Sequence, residues 1–239
     1  MSAEKFLDGK ITVRQPENGF RAGLDAVMLA AAVPDAAHAF ELGAGAGTAS
    51  LCLAARLPGI AITGIEIDPA LTKLANENAA ANGMDKRVAF AAADIFALPL
   101  EWKREYDAVL MNPPFHGEDQ SSPDAARARA LMDKGTLRDW LETGLKRTIS
   151  GGSFTTILRA DRLNEALAAL PETGVTVFPL WPKAGEAARR VLIQVRKGAR
   201  TPFRLLPGLI LHQESGAYTP EADAILRGNA ALALVGTRL

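Results

Sequence analysis

The stretch Asp107-Ala-Val-Leu-Met-Asn-Pro-Pro-Phe115 holds the residues best suited to chemistry. Ala108 to Met111 is an apolar run that reads as a buried strand, and Asn112-Pro113-Pro114-Phe115 ends it. Each proline fixes φ and lacks an N–H, so strand pairing cannot continue through the pair. The tip then offers an amide oxygen from Asn112, a bare main-chain carbonyl from Pro113 and an aromatic face from Phe115. A planar substrate bearing an NH₂ group suits that set: two acceptors take its two N–H bonds while Phe115 stacks on its ring.

An exocyclic amine on a purine is a poor nucleophile, because its lone pair is delocalised into the ring. Two acceptors on its hydrogens favour a pyramidal nitrogen with a localised lone pair, and alignment against a reactive methyl completes the preparation. No strong base is needed before attack, since the proton leaves after the nitrogen has become positive. The same four residues are also compatible with a strand-ending turn whose Phe115 lies in the core.

Such a tip needs elements to hold it against a partner site. His38 to Leu42 reads as a short strand running into Gly43-Ala44-Gly45-Ala46-Gly47, followed by a helix from Thr48 to Leu57 that Pro58-Gly59 ends. Strand, glycine turn and helix form the context in which a glycine motif binds a ligand: the glycines let backbone approach closely, and the helix N-terminus presents free N–H groups. A dinucleotide fingerprint would need its third glycine at position 48, which is Thr48. A second strand, Ile60 to Ile65, delivers Glu66, 23 residues after Gly43, where an acid is placed to accept both hydroxyls of a ribose. Asp68 before Pro69 reads instead as the N-cap of a helix running to about Ala81 and closed by Asn82-Gly83. A third strand, Arg87 to Ala92, leads to Asp94-Ile95, and Asp94 could cap the short turn through Leu98. With Asp107 to Met111 as the fourth strand, Gly43, Glu66, Asp94 and Asn112 share one carboxyl edge, the edge where open α/β sheets bind ligands.

The remainder continues the pattern. Ala26 to Val33 is an alanine-rich helix stopped by Pro34; its preceding loop carries Arg21, Gly23 and Asp25, and residues 1–14 read as peripheral. The polar stretch His116 to Gly135, with Arg127, Arg129 and Lys134, is a candidate substrate lid or a solvated surface helix. Thr136 to Thr148 reads as a helix, Ser153 to Leu158 as the fifth strand, and Asp161 as the cap of a helix through Leu170. Val175 to Leu180 and Arg190 to Val195 form two further strands, Phe203 to His212 suggests an extra one, and Thr219-Pro220 opens a last helix stopping at Arg227-Gly228. No repeat or linker interrupts the chain, so residues 1–239 read as one domain with an N-terminal cap over about 1–35 and a C-terminal extension over about 200–239.

Composition narrows the class. With 239 residues and 48% apolar content the chain can bury a full core, and it has no apolar run of membrane-spanning length. The polar N-terminus does not read as a signal peptide. A single cysteine, Cys52, excludes an internal disulfide and a cysteine-cluster metal site, while His38, His116 and His212 lack metal-ligand spacing. A cytoplasmic protein without a metal or a membrane span is expected. Charge sums to zero but is uneven: residues 1–120 hold 10 Lys+Arg and 16 Asp+Glu, net −6, and the remaining 17 and 11 give residues 121–239 net +6. The basic second half is read as facing an anionic partner.

Asn112-Pro-Pro-Phe115 after an apolar strand resembles the catalytic motif of S-adenosylmethionine-dependent amino methyltransferases, and Glu41-x-Gly-x-Gly-x-Gly47 resembles the first cofactor motif of the class I enzymes. The resemblance implies a Rossmann-like α/β fold: a mostly parallel seven-stranded sheet with a C-terminal antiparallel hairpin and helices on both faces. It implies that S-adenosylmethionine lies along Gly43, Ala44, Gly45 and Gly47, with its ribose on Glu66. Its adenine amino group would donate to Asp94, its ring would sit between Ile67 and Ile95, and Arg21 or nearby backbone would face its carboxylate. From Gln15 to Arg227 the motif order is similar to that of the bacterial family that methylates N6 of an adenosine next to the anticodon in a valine tRNA. Gln15-Pro-Glu-Asn-Gly-Phe-Arg-Ala-Gly-Leu-Asp-Ala, Arg127-Ala-Arg-Ala, Arg159-Ala-Asp-Arg-Leu, Leu206-Pro-Gly-Leu and Tyr218-Thr-Pro-Glu carry that narrower likeness. Phe115 stands where a tyrosine is more usual, and Phe115-His116-Gly117 is similar to ribosomal-RNA guanine-N2 methyltransferases. An RNA adenine-N6 enzyme acting on tRNA is the expectation. The competing readings are a guanine-N2 enzyme, a protein glutamine-N5 enzyme and an inactive cofactor-binding module.

Overall fold

A computed structural model describes residues 2–17, 21–114 and 135–234. Five parallel strands form the centre: β3 (His38–Leu42), β4 (Ala61–Glu66), β5 (Val88–Ala92), β6 (Tyr106–Met111) and β7 (Thr148–Arg159). They lie in the order β5-β4-β3-β6-β7, so the chain reverses direction across the sheet between β3 and β6. Beyond β7 come β9 (Arg190–Arg196), antiparallel to it, and β8 (Val175–Trp181), antiparallel to β9. That is the expected seven-stranded sheet with its hairpin. Two further pairs of residues, β10 (Arg204–Leu205) and β11 (Leu209–Ile210), run parallel to β8 and bring the count to nine. The extra strand expected over Phe203 to His212 is thus split. Pro207 has no N–H to donate, and Gly208 sits at φ +86°, outside strand geometry.

Burial of β6 on both faces explains its unbroken apolar run. Ala108 and Leu110 join one core, with Val27, Leu51 and Leu74 from α1 (Leu24–Ala32), α2 (Thr48–Arg56) and α3 (Pro69–Ala81). Val109 and Met111 join the other, with Phe40, Phe154 and Leu141 of α4 (Leu137–Arg147). Local signals set the helix starts. Asp68 accepts from Ala70 N and Leu71 N ahead of Pro69, and Thr136 and Asp139 form a reciprocal capping box for α4. Thr219 caps α6 (Pro220–Leu226) in the same way through Ala222 N.

Three local expectations are corrected. Asp161 caps no helix; its carboxylate accepts from Arg159 Nε at 3.1 Å, and a 3₁₀ turn (Ala160–Arg162) leads into the short α5 (Leu163–Leu167). The fifth strand begins at Thr148, not Ser153, because Gly151 at φ +79° lets it shift register against β6 and continue. Residues 1–14 are more than peripheral. β1 (Ser2–Phe6) and β2 (Ile11–Gln15) form a separate hairpin whose Ile11, Val13 and Gln15 are buried. Two amides one helical turn apart on α3 hold it. Asn78 pairs with Arg14 N and O at 2.9 Å each, and Asn82 pairs with Thr12 N at 2.9 Å and Thr12 O at 2.8 Å. The spacing of four on the helix matches the spacing of two on the strand.

Candidate active site

The carboxyl ends of β3, β4, β5 and β6 converge on one rim, which carries the glycine loop, Glu66-Ile67, Asp94-Ile95 and Asn112-Pro113-Pro114. The loop after β3 turns tightly because Gly43, Gly45 and Gly47 take φ of +70°, +55° and +85°. Gly43 and Ala44 both donate to Ile65 O at 2.9 Å, which pins the loop to β4. A Cβ on Gly43 would come within 3.0 Å of Trp140 Cη2, and one on Gly47 within 2.7 Å of Phe90 Cζ, so packing as well as conformation demands glycine there. Gly45 differs: a Cβ there would meet none of the described residues within 4 Å. The middle of the loop is therefore left open by the described residues, a backbone cradle at the start of α2. Beside it, Thr48 Oγ1 is shielded from solvent and has no hydrogen-bond partner among the described residues.

Glu66 closes the cradle. Its Oε2 accepts from Gly45 N at 2.8 Å and its Oε1 from Asp68 N at 3.0 Å. Only 3% of the residue is exposed, and burial lifts its pKa above the usual carboxylate range against the opposing N–H donors of Asp68, Gly45 and Ile67. Each oxygen keeps a lone pair, which is what a diol ligand requires. Glu41, two residues before Gly43, lies on the same face of the sheet but has a different partner. Its Oε2 accepts from Ser50 N at 3.1 Å and from the Ser50 hydroxyl, tying β3 to the first turn of α2. Burial pushes its carboxyl up to about 8, with the neighbouring charge of Glu66 adding to the shift.

Along the same rim, Asp94 Oδ1 accepts from Phe96 N at 2.9 Å, so this side chain shapes its own turn. Ile67 is half-buried, while Ile95 is buried in the core with Phe40 and Leu98. Asn112 follows the last residue of β6, with Pro113 buried behind it and Pro114 half-buried. Its Oδ1 is shielded from solvent and has no hydrogen-bond partner among the described residues, which leaves a buried acceptor at the end of β6. Phe115, His116, Arg127, Arg129 and Lys134 lie outside the described residues. Arg21 is set apart from this group: its guanidinium pairs with Glu4 of β1. The Gln15 amide fixes the adjoining loop through Ala22 N at 2.8 Å and Ala22 O at 3.0 Å.

Trp140 was not singled out in the sequence. It comes from α4, packs its ring edge on Gly43, meets Phe96 edge-on at 5.8 Å and keeps Nε1 buried without a partner among the described residues. A tryptophan on the apolar side of a helix reads as core, and nothing local to it marks a contact with a loop 97 positions earlier. Bare loop backbone, the buried Glu66 carboxylate and an amide oxygen unmet among the described residues together form a site for a polar nucleoside-like group beside a second ligand bearing N–H donors.

Comparison with known proteins agrees with this geometry. The family model for the methyltransferase small domain matches residues 22–138. A tRNA1(Val) (adenine(37)-N6)-methyltransferase from Porphyromonas gingivalis is 30% identical, with 92% of each chain covered. The protein of the same name from Yersinia enterocolitica is 28% identical over 86% of this chain and 84% of its own. Among solved structures, protein Atu636 from Agrobacterium tumefaciens, described as a predicted O-methyltransferase, superposes with a TM-score of 0.74 at 27% identity, covering 89% of this chain and all of that one. A precorrin-6y C5,15-methyltransferase from Geobacter metallireducens shares the fold at a TM-score of 0.53 and 16% identity, over 78% of this chain and 94% of its own. The cradle at Gly45, the unmet Thr48 hydroxyl and the lone pairs of Glu66 fit S-adenosylmethionine, the methyl donor of such enzymes. The chain belongs to the family of S-adenosylmethionine-dependent methyltransferases that contains the tRNA1(Val) (adenine(37)-N6)-methyltransferases.

Proposed function

We propose that the protein methylates N6 of an adenosine in the anticodon loop of a tRNA, next to the anticodon. The observation that carries the reading is the buried Oδ1 of Asn112 at the end of β6, unpartnered among the described residues and on the same rim as the glycine cradle. The relatives named above act, by their names, on adenine 37 of a valine tRNA, which supports tRNA as the substrate class. Bound S-adenosylmethionine supplies an electrophilic methyl on a sulfonium. Glu66 would accept the two ribose hydroxyls, Asp94 the adenine amino group, and Ile67 and Ile95 would flank the ring. Gly43, Ala44, Gly45 and Gly47 would pass backbone along the methionine portion. Arg21, engaged with Glu4, would reach the carboxylate only by exchanging partners.

On the substrate side, Asn112 Oδ1 and the Pro113 carbonyl take the two N–H bonds of the adenine amine, and Phe115 stacks on the base. Held by these two acceptors, the amine lone pair would face the methyl that bound S-adenosylmethionine would supply, and the proton would leave nitrogen for solvent after transfer. A loop base reaches the pocket cheaply, because it is unpaired or easily splayed. Incubation with tRNA, ribosomal RNA and a glutamine-bearing peptide, followed by mass spectrometry of nucleosides and peptide, tests the reading. N6-methyladenosine should appear in tRNA. Asn112→Ala should keep cofactor affinity and melting temperature while slowing transfer at least a hundredfold, the usual size of a lost transition-state donor or acceptor. Label found as N2-methylguanosine or on the peptide, with none in tRNA, overturns it.

A further inference from the structure

The turn 211–219, beyond the end of β11, is not used by the site described above. Because β8 is antiparallel to β9 and β9 to β7, β8 points the same way as β6. Leu209 pairs with Leu180 and Ile210 with Trp181 in parallel register, so the chain after Ile210 leaves the sheet on the rim that holds Asn112. There His212 and Tyr218 face each other across a short antiparallel bridge, rings stacked at 4.7 Å and 24°. Tyr218 nevertheless remains 40% exposed. The pair thus leaves part of an aromatic ring open to a planar ligand on the rim that holds Asn112.

The pair is also rigid before any ligand arrives. His212 Nδ1 lies 3.1 Å from Gly216 O, Gln213 Nε2 donates to Tyr218 O at 2.9 Å, and Gln213 N donates to Ala217 O at 2.8 Å. Thr219 then donates its hydroxyl to Ile210 O at 2.7 Å and caps α6, so Tyr218 is clamped between β11 and a helix. Little ordering entropy remains to be lost on binding. Lys183, whose Nζ donates to Glu214 O at 3.2 Å, and the exposed Arg189 supply cations on this side of the rim.

We infer that the Tyr218–His212 pair is a stacking platform for an unpaired RNA base, displaced along the strand from the nucleotide in the Asn112 pocket. The inference rests on the RNA reading of that pocket and adds where the RNA runs. β6, β7, β9, β8 and β11 are successive neighbours, so the platform lies four strand spacings from Asn112, about 19 Å. That distance corresponds to about five or six nucleotides at the stacked rise of about 3.4 Å each. A stacked trinucleotide falls short of it, whereas an anticodon stem-loop spans it.

Fluorescence anisotropy of a labelled anticodon stem-loop and a labelled trinucleotide carrying the same target adenosine tests the platform without depending on turnover. Tyr218→Ala should weaken stem-loop binding about tenfold, within the range of one lost base stack. Tyr218→Phe should bind like the wild type, and trinucleotide binding, S-adenosylmethionine affinity and melting temperature should not move in either variant. Stem-loop binding unchanged in Tyr218→Ala overturns the platform, as does an equal loss for the trinucleotide or a loss of cofactor affinity. A wild type that binds neither RNA overturns it too. If the stem-loop binds through Tyr218 yet gains no methyl group at adenosine N6, the platform stands and the proposed reaction falls.

Discussion

Glu41 and Glu66 are buried carboxyls on neighbouring strands, and their surroundings give them different work. Glu66 takes N–H bonds from Gly45 and Asp68 and keeps lone pairs toward the cradle. Glu41 is consumed by Ser50, and burial raises its carboxyl from the ordinary 4.5 to about 8, so it is mostly protonated at neutral pH. The sign of the linkage follows. In the unfolded chain Glu41 releases its proton near the ordinary value, while the folded protein holds it to about 8, so across that window the unfolded state binds fewer protons. Stability should therefore fall as pH rises from about 4.5 to about 8 and level off above. Glu41→Gln keeps an acceptor for Ser50 and does not titrate. Urea denaturation at several pH values in that window should show the wild type losing stability relative to Glu41→Gln, by on the order of a few kcal/mol in total at about 1.4 kcal/mol per pKa unit. Parallel curves would mean that Glu41 titrates normally and that its burial has been misjudged.

At the scale of elements, helix and strand signals were legible where they were local. Asp68 before Pro69, Thr219 before Pro220 and the apolar run of β6 each announce themselves within a few residues, and each element forms where expected. The rim was legible for the same reason, since strand ends carry Gly43, Glu66, Asp94 and Asn112 in chain order. What could not be read joins distant segments: Trp140 against Gly43, Arg190 Nε on Asp25 at 2.8 Å, and above all the anchoring of β2 on α3. Asn78 is fully buried; besides Arg14 it donates to Ala46 O at 3.0 Å, so one amide joins the N-terminal hairpin to the glycine loop. Asn78→Ala would strand an N–H and two carbonyls away from water and should cost about 1–3 kcal/mol. Asn82→Ala should cost less, because Asn82 is only half-buried and water can replace it. Urea melts of the two variants check the ranking. An Asn82→Ala loss as large as that of Asn78→Ala would refute the account of burial, and unchanged S-adenosylmethionine affinity in Asn78→Ala would show that the loop keeps its shape without this tie.

Over the whole molecule, a chain of zero net charge has no long-range field to draw in a polyanion, so any RNA must be held by local cations. The basic second half supplies β7 to β11 and α4 to α6, the part of the sheet beyond Asn112. Arg159 and Arg162 stand where β7 reaches the rim, paired with Asp161 at 3.1 Å and Glu165 at 2.7 Å. Both acids are exposed, and ion pairs of that kind are weak enough to be exchanged for phosphate. If these arginines carry phosphate contacts, replacing both with alanine removes two counterion-release terms. The slope of log affinity for tRNA against log salt should then flatten by about 0.7–0.9 for each, or about one and a half units together. Affinity for S-adenosylmethionine should stay at the wild-type value, since the glycine cradle follows β3, two strands away from β7. Titrations at several salt concentrations decide the point. A double variant with the wild-type slope would move the RNA path off the end of β7, whatever its affinity at a single salt concentration.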